Sequence, residues 1–468
     1  SCSLPVKTIF SARECHSNGQ MGCGRSKRVV PTTQDSVVPT EPLSSTDALV
    51  VDESQSKEDH QDDECGENSS EGSGPIGPSL AEQLYRRLGD TQAVFQESSH
   101  ELCLLGGTRF DGGDDAPVIE EEFSFKWLEL SGFPADDHAG LQEILAKSGI
   151  GLCCRKGKKA EVPNQDSVLF CKNDRFIIAG VADGHGDSGH WASHWVCRYA
   201  AALCLSEVCK IGRLPTEYDL VRIFNLIHEA LEFRSLHGDP GLKEGEKKHL
   251  FDISMSGSTL SLVLLDTQNN EVLTAWVGDS SCVMFTCGNE PESMKTNLLV
   301  PGATPKSAVP SGTSRENSWC QVQSITADHN PRDVGERHRL ASTYGATNNA
   351  SGRVGIPGSE KEDSDKGGLS MTRALGDLTL HSFGVIHKPG HKKVHLLPKE
   401  GRAQQCVLCC SDGVWEFFSN EEAAQLIAKA GRENVASATE DLVTQARARW
   451  IEQEEDETDD LSAIVIWI

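Results

Sequence analysis

The sequence predicts an α+β fold in which antiparallel sheets are covered by helices. From about residue 149 onward, short apolar runs typical of strands recur, and most of them are joined through short polar turns, as in hairpins. Helical segments lie between groups of these strands and do not alternate with single strands, which disfavours a doubly wound parallel sheet. The sequence contains no internal repeat.

Two hairpins are the clearest elements. One joins residues 167–170 and 176–182 through a Lys-Asn-Asp turn, and the other joins 258–265 and 272–277 across a polar turn. The other expected elements are strands at 283–285, 406–410 and 463–468 and helices at 190–208 and 421–430. Pro, Gly and Ser mark residues 286–320 as an insertion.

Composition divides the 468-residue chain into three parts. Residues 1–78 are interpreted as a disordered tail, because most of this stretch is rich in Ser, Asp, Glu, Pro and Gly and nearly lacks aromatic residues. Residues 79–147 are an extension with short helices, the first of which begins after a Ser79 cap that Glu82 follows. Residues 148–468 carry the strand-like runs and are predicted to form the main domain.

Charge and cysteine content limit the partners and the compartment. The formal net charge of −26 argues against a nucleic-acid partner, which would need a basic surface. The 17 cysteines include adjacent pairs inside apolar runs, which indicates buried reduced thiols and a cytoplasmic location. Cys406 and Cys409 have the spacing of a redox or zinc pair, but they lie in a strand-like run without a second pair. No apolar run is long enough to span a membrane.

Four aspartates share one placement, since each lies at the end of an apolar strand-like run or just before one. They are Asp183, Asp279, Asp412 and Asp459. If they converge, two close carboxylates oppose each other by about 4 kcal/mol at an effective dielectric constant of about 20, so cations must accompany them. Oxygen ligands of this kind favour Mg²⁺ or Mn²⁺.

The region of the Asp-Gly-His-Gly-Asp-Ser-Gly segment at 183–189 has some features of two other metal motifs, a calcium loop and a zinc helix. A calcium loop here would have Gly where Ser188 stands and Glu where His194 stands. A zinc helix through His190 and His194 would have Glu where Trp191 stands. Neither motif therefore fits.

The three glycines of this segment also match the G-x-G-x-x-G pattern of dinucleotide binding, between an expected strand and an expected helix. Asp183, just before the pattern, and Asp187, within it, would repel a pyrophosphate. The acidic residue about 20 positions further on should close a second strand, but Glu207 falls inside the helix. A dinucleotide site is thus the weaker interpretation.

Short motifs follow one another along the main domain. They are Asn164-Gln-Asp-Ser, Asp183-Gly-His-Gly, Ser256-Gly-Ser-Thr, Val277-Gly-Asp-Ser, Asp328-His-Asn-Pro with Glu336 and Arg339, Leu369-Ser-Met-Thr-Arg-Ala-Leu-Gly-Asp, Cys410-Ser-Asp-Gly-Val-Trp and Asp459-Asp-Leu-Ser. In this order they resemble the type 2C (PPM) family of metal-dependent serine/threonine protein phosphatases, with features of its plant and protist branches. The resemblance extends from about residue 148 to 468.

The resemblance implies an α-β-β-α sandwich of two antiparallel sheets with a metal centre at one edge. It implies hydrolysis of phosphoserine and phosphothreonine in phosphoproteins by a bridging metal hydroxide, without a phosphoenzyme. Two Mg²⁺ or Mn²⁺ ions per site would be bound, and a third, weaker ion is possible. The implied metal ligands are Asp183, which bridges the two ions, Gly184 through its carbonyl, Asp412, Asp459, Asp166 through metal-bound waters, and Asp279 for the weaker ion. His185 is the implied general acid.

The sequence departs from the animal members at several places. Gln165 stands where they have Glu, Ser281 stands where an Arg often occurs, and Glu416 stands where an Asp often occurs. Their phosphate-binding Arg has no obvious equivalent. Arg155, Lys158 and Lys159 offer cations nearby, and spacing does not choose among them.

The sequence also predicts a flap beside the active site and leaves one alternative function open. Residues 344–368, which are Gly-rich and charged, fall where the family has a flap beside the active site. The alternative function is a catalytically inactive module with the phosphatase fold, which would be expected to lack a metal aspartate, and none is missing. We expect a monomer.

The motif Met21-Gly-Cys-Gly-Arg-Ser matches the pattern for N-myristoylation, with Gly22 exposed once Met21 is removed. Residues 1–20 would then be a leader or a fusion remnant. Cys23 is placed for palmitoylation and basic residues follow, so two signals for stable anchoring are present. The motif predicts association with the cytoplasmic face of a membrane.

Overall fold

The structure is a computed structural model that describes most of the chain after residue 78. The described residues are 79–87, 102–108, 128–130, 138–159, 162–238, 250–289, 318–344, 353–355, 368–397, 403–454 and 457–468. The predicted tail with its lipidation motif, the centre of the predicted insertion and most of the predicted flap lie outside them. No helix of the described residues is long and apolar enough to cross a membrane.

The strands of the described residues are short and join into two sheets. In chain order they are β1 (Leu102–Gly106), β2 (Leu128–Leu130), β3 (Ile150–Arg155), β4 (Asp166–Lys172), β5 (Phe176–His185), β6 (Gly257–Ser258), β7 (Leu260–Asp266), β8 (Glu271–Val277), β9 (Ser281–Asn289), β10 (Ser318–Ser324), β11 (Leu375–Gly376), β12 (Gly390–His395), β13 (Gln404–Cys410) and β14 (Leu461–Trp467).

Helices cover both sheets. In chain order they are α1 (Leu80–Arg87), α2 (His138–Lys147), α3 (Gly189–Ile211), α4 (Glu217–His237), α5 (Val334–Tyr344), α6 (Leu378–His381), α7 (Asp412–Trp415), α8 (Asn420–Ala430) and α9 (Val435–Glu454), with a 3-10 turn at Arg432–Asn434 before α9.

Every described pair of neighbouring strands is antiparallel. The first sheet has the order β12-β8-β7-β5-β4-β1-β2, with β6 and β11 paired beside β5. The second sheet has the order β10-β9-β13-β14-β3. The two predicted hairpins are present as β4–β5 and β7–β8.

The central strands are largely continuous runs of apolar residues because the sheets are buried on both faces. Along β4, Val168 and Phe170 face the second sheet, while Leu169 and Cys171 face the helices on the other side. Because side chains alternate along a strand, a sheet that is covered on both faces needs apolar residues at successive positions. The second sheet shows the same alternation.

The helices form the outer layers. Tyr199 of α3 and Phe224 of α4 pack in the core on the outer face of the first sheet. Ile427 of α8 and Leu442 of α9 pack on the outer face of the second sheet. The layers are therefore helix, sheet, sheet and helix, and the predicted α-β-β-α sandwich is confirmed.

Local signals set several helix boundaries. Thr216 and Asp219 form a capping box at the start of α4, and Ser419 and Glu422 form another at the start of α8. Each pair satisfies two backbone N–H groups that a helix start would otherwise leave unpaired. Helix α3 ends at Gly212, whose φ of 64° lies in the left-handed region that glycine adopts without strain.

The structure corrects two expectations. The predicted insertion at 286–320 begins and ends in strands, because β9 runs past residue 285 and pairs with β10. The adjacent cysteine pairs at 153–154 and 409–410 are free and buried, as expected, but the expectation of reduced thiols does not extend to Cys103 and Cys171, which face each other on β1 and β4 and are paired as a disulfide. The sequence did not reveal this pair, since β1 lies in the predicted 79–147 extension and joins the sheet only through tertiary pairing.

Candidate active site

Carboxylates from both sheets meet at one edge of the sandwich. Asp166 begins β4 and lies directly opposite Asp183 on β5. Asp412 follows β13 as the first residue of α7, and Asp459 lies two positions before β14, the neighbour of β13. Antiparallel neighbours present the end of one strand and the start of the next at the same edge. The topology thus brings all four residues together.

The pKa values show how strongly these carboxylates interact. Burial raises the pKa of Asp183 well above its usual range, and the charges of Asp412 and Asp166 raise it further. Burial also raises the pKa of Asp412 to about 6, with a further contribution from Asp459. The Oδ1 atom of Asp412 is buried without a hydrogen-bond partner. A buried, unpaired carboxylate oxygen among like charges fits a site for a hard divalent cation.

Asp279 lies at the edge of this group, in a polar cleft of about 640 Å³ that Asp412, Asp328 and Glu416 also line. Burial raises the pKa of Asp279 to about 8, and the charges of Asp412 and Asp328 add to the effect. The predicted position for a weaker ion therefore opens toward solvent beside the main group of carboxylates.

The turn after Asp183 is held by close backbone packing. A Cβ atom on Gly184 would lie 2.0 Å from the carbonyl oxygen of Gly189 at the start of α3, so only glycine fits there. The side-chain amide of Gln165 donates to the carbonyl of Gly186 at 2.6 Å. A glutamate at this position could not donate that bond while ionised. The departure from the animal pattern at Gln165 is thus accommodated by a contact within this turn.

His185 is paired with a buried carboxylate. Its Nε2 atom lies 2.7 Å from Oδ2 of Asp377, and its Nδ1 atom is buried without a hydrogen-bond partner. Burial lowers the pKa of His185, but the charge of Asp377 and this hydrogen bond outweigh it, so that the pKa is raised. The protonated imidazolium form of His185 is therefore favoured. In that form the Nδ1–H group has no hydrogen-bond acceptor.

Asp377 is a functional candidate that sequence reasoning missed. It was visible only as the last residue of the Leu369–Asp377 motif, where nothing indicated a partner 192 positions earlier in the chain. Its φ is 52°, a left-handed conformation that Asp tolerates. Its backbone N–H donates to the Ser256 carbonyl at 2.9 Å. This turn directs the carboxylate toward His185.

A second carboxylate that was missed stabilises the loop before β4. Asp460 is 2 % exposed and accepts hydrogen bonds from the backbone N–H groups of Gly157 at 2.8 Å and Gln165 at 2.7 Å. Asp459 and Asp460 are adjacent in the sequence, so the sequence alone did not show that they have different roles. Asp459 lies with the other carboxylates. Asp460 stabilises, through its two backbone hydrogen bonds, the loop that follows β3.

The three candidate cations take different places. Lys159 pairs through Nζ with Asp459. Burial lowers its pKa, but the charges of Asp459 and Asp460 raise it more, so that the pKa lies above its usual range. Arg155 pairs with Glu440 on α9. The backbone of Lys158 donates to the Thr458 carbonyl at 2.9 Å. Of the three candidates, Lys159 is therefore the one that forms an ion pair with an aspartate of the site.

Glu336 connects two of the motifs behind the site. It is 5 % exposed and accepts hydrogen bonds from Arg339, Arg373 and the Thr372 hydroxyl. Burial raises its pKa, but these hydrogen bonds outweigh burial and lower it to about 2. The carboxylate joins α5 to the segment that leads to Asp377, which gives these motif residues a structural role.

One histidine of the rejected zinc motif forms a hydrogen bond with an arginine. His190 and His194 lie on α3, and Nε2 of His194 accepts a hydrogen bond from Nε of Arg198 at 2.8 Å. This contact agrees with the conclusion that the zinc motif does not fit here.

Comparison with known proteins shows similarity to one family. The family model for Protein phosphatase 2C matches residues 226–454. The chain is 26% identical over 348 residues to probable protein phosphatase 2C 72 of Arabidopsis thaliana, covering 70% of this chain and 88% of the relative. It is 28% identical over 293 residues to probable protein phosphatase 2C 61 of Arabidopsis thaliana, covering 62% of this chain and 76% of the relative.

Among solved structures, the chain is similar to the serine-threonine phosphatase 2C from Toxoplasma gondii, with a TM-score of 0.48 and 18% identity, covering 68% of this chain and 94% of that one. The family model and the sequence relatives support a serine/threonine protein phosphatase, a phosphoric monoester hydrolase. The match over residues 226–454 and the plant relatives support a member of the protein phosphatase 2C family. The similarity implies phosphoprotein substrates and dependence on divalent metal ions.

Proposed function

We propose that the chain hydrolyses phosphoserine and phosphothreonine at a centre of two Mg²⁺ or Mn²⁺ ions, without a covalent phosphoenzyme. The observation that supports this most is the convergence of aspartates from two sheets, where burial of the carboxyl groups and the charges of their neighbours raise the pKa of Asp183 and Asp412. The proposed ligands are Asp183, the Gly184 carbonyl, Asp412 and Asp459, with Asp166 acting through water and Asp279 for a weaker third ion. When bound, such ions neutralise phosphate charge and activate water.

The residues of the chain prepare the site for a dianionic phosphate. Lys159 is the proposed phosphate contact, because its ammonium group lies beside Asp459 and is only partly buried, with its side chain 34% exposed. Arg155 is the weaker candidate, since its guanidinium is already paired with Glu440. Phosphate would therefore meet one cation of the chain in addition to the metal ions.

His185 is the proposed general acid. The departing serine or threonine oxygen is strongly basic and must receive a proton. Asp377 holds Nε2, which leaves the buried Nδ1 as the atom that can deliver the proton. The raised pKa favours the protonated form of His185. Asp377 is thus a positioning residue that also sets the charge state of His185.

The decisive test is turnover of a phosphothreonine peptide by metal-stripped protein, with and without added Mn²⁺. We expect no turnover without the ion. Asp412→Asn should reduce kcat at saturating Mn²⁺ by more than about 1,000-fold, since losing a ligand of a two-metal centre removes several kcal/mol of transition-state stabilisation. The matched control is Asp174→Asn, in the exposed turn between β4 and β5. A variant that keeps more than about a tenth of the wild-type rate would contradict the assignment.

A chain that binds Mn²⁺ and folds normally but shows no turnover would favour the alternative, an inactive module with the phosphatase fold. The same assay therefore separates the two functions. We further propose a monomer in the cytoplasm, with phosphoproteins and not nucleic acids as partners because of the net charge of −26.

We also propose that the N-terminal motif anchors the enzyme at the cytoplasmic face of a membrane. The support is the sequence alone, since Gly22, Cys23 and the basic residues that follow lie outside the described residues. Expression from Met21 with lipid transferases should place the chain in the membrane fraction, and Gly22→Ala and Cys23→Ser should each release it. If both variants remain with the membranes, the anchoring proposal is wrong.

A further inference from the structure

Three histidines outside the carboxylate centre face one another. They are His228 on α4, His381 at the end of α6 and His387 in the segment that follows. One ring nitrogen of each lies within 4.8 Å of the other two. His228 is 7% exposed, and the other two are partly exposed. The cluster is thus reachable from solvent on one side.

The hydrogen bonds of the cluster leave ring nitrogens available. His381 donates from Nε2 to the Gly376 carbonyl at 3.0 Å, and because a carbonyl only accepts, Nδ1 of His381 keeps its lone pair. The Nδ1 atom of His387 is buried without a hydrogen-bond partner. His228 accepts at Nδ1 from the Gly376 N–H, but only at 3.3 Å. A metal-ligating histidine commonly donates its other ring N–H to a backbone carbonyl, as His381 does.

Charge and burial favour neutral rings. Burial lowers the pKa of His228 to about 2 and that of His387 to about 4, and the other rings of the cluster oppose protonation further. Neutral imidazole is the form that binds a metal ion, and nitrogen ligands suit zinc better than magnesium.

We propose that His228, His381 and His387 form a binding site for a divalent transition-metal ion of the zinc type, separate from the carboxylate centre. Three histidines with a water in the fourth position are a familiar zinc coordination. The rings of His228 and His387 stack, with centroids 4.1 Å apart and planes inclined by 14°. An ion must lie near the plane of each ring, so binding would turn His387 out of the stack.

The site has a structural consequence. His228 and His381 contact both polar groups of the Gly376 backbone, and the next residue is Asp377, which pairs with His185. An ion bound by the cluster would therefore join α4 to the turn that positions Asp377. The metal site itself does not depend on the proposed hydrolytic mechanism.

The test uses the full chain, stripped with a chelator, saturated with Mg²⁺ and then exposed to Zn²⁺ before gel filtration. We expect about one retained Zn²⁺ per chain by elemental analysis and a Tm that rises by at least about 2 °C. His387→Gln and His381→Gln should each reduce retained zinc at least about tenfold. The matched control is His338→Gln, on the exposed face of α5, which should retain zinc as the parent does.

A further variant separates this site from the carboxylate centre. Asp412→Asn should retain zinc fully, and Co²⁺ in place of Zn²⁺ should give the visible absorption of a four-coordinate nitrogen site that His387→Gln loses. Zinc retained by His387→Gln but lost from Asp412→Asn would overturn the proposal, as would a parent chain that retains none. Circular dichroism and the zinc-free Tm of each variant check that it is folded.

Discussion

Replacing Asp377 by Asn isolates the charge of the carboxylate that contacts His185. Asn has the same shape and keeps an oxygen that can accept from Nε2, which lies 2.7 Å from Asp377. It also tolerates the left-handed backbone, where φ is 52°. The substitution should therefore preserve the turn and remove only the negative charge.

The size of the effect follows from the contact. A hydrogen bond to a charged group contributes about 1.5–3 kcal/mol, and one pKa unit corresponds to about 1.4 kcal/mol. Loss of the charge should thus lower the pKa of His185. Burial already lowers this pKa, and only the more distant charges of Asp279 and Asp412 would still oppose it. The acid form would then be lost at lower pH.

The assay compares two substrates across a range of pH. On a phosphothreonine peptide, kcat should fall by about 10- to 100-fold above neutral pH, and the alkaline limb of the profile should move to lower pH. An aryl phosphate, whose leaving oxygen needs little protonation, should lose less than about threefold. Asp174→Asn serves as the control for a surface charge.

Equal losses on both substrates, or an alkaline limb that does not move, would refute the role of Asp377 in keeping a proton on His185. His185→Ala should show the same dependence on the leaving group. Because the two residues act as a unit, the double variant should be no slower than His185→Ala by more than about threefold.

Three other changes test the rest of the site. In the metal-free enzyme, the free energy of unfolding should fall as pH rises toward about 8, because buried aspartates with raised pKa values ionise against one another, and Asp412→Asn should flatten part of this fall. Lys159→Met should raise KM for a phosphopeptide at least about tenfold, while Arg155→Met should change it less than about twofold. Asp460→Ala should lower the free energy of unfolding by about 2–4 kcal/mol in urea, because two backbone N–H groups lose their acceptor.

Each of these has a contrary outcome. A free energy of unfolding of the metal-free enzyme that stays level or rises with pH would mean that the aspartates do not repel one another. Equal KM changes in Lys159→Met and Arg155→Met would reopen the choice of phosphate contact. A loss below about 1 kcal/mol in Asp460→Ala would show that water replaces the carboxylate as acceptor.

Local patterns predicted the elements whose signals are short-range. The β4–β5 and β7–β8 hairpins follow from apolar runs that end in polar turns, and α8 begins at the capping box of Ser419 and Glu422. Strand β1 and the edge pair β9–β10 were not predicted as such. Their pairing depends on partners far along the chain or on residues that local composition marks as loop.

By itself the sequence determined the α+β class, the metal-site aspartates as candidates, His185 as the candidate acid and the family resemblance, because these rest on residue types and on order along the chain. Only the tertiary structure brought Asp377 to His185 and Lys159 to Asp459, paired Arg155 with Glu440 and brought the three histidines together. A contact between residues far apart in the chain depends on how two packed sheets and their helices align, and no local pattern encodes that alignment.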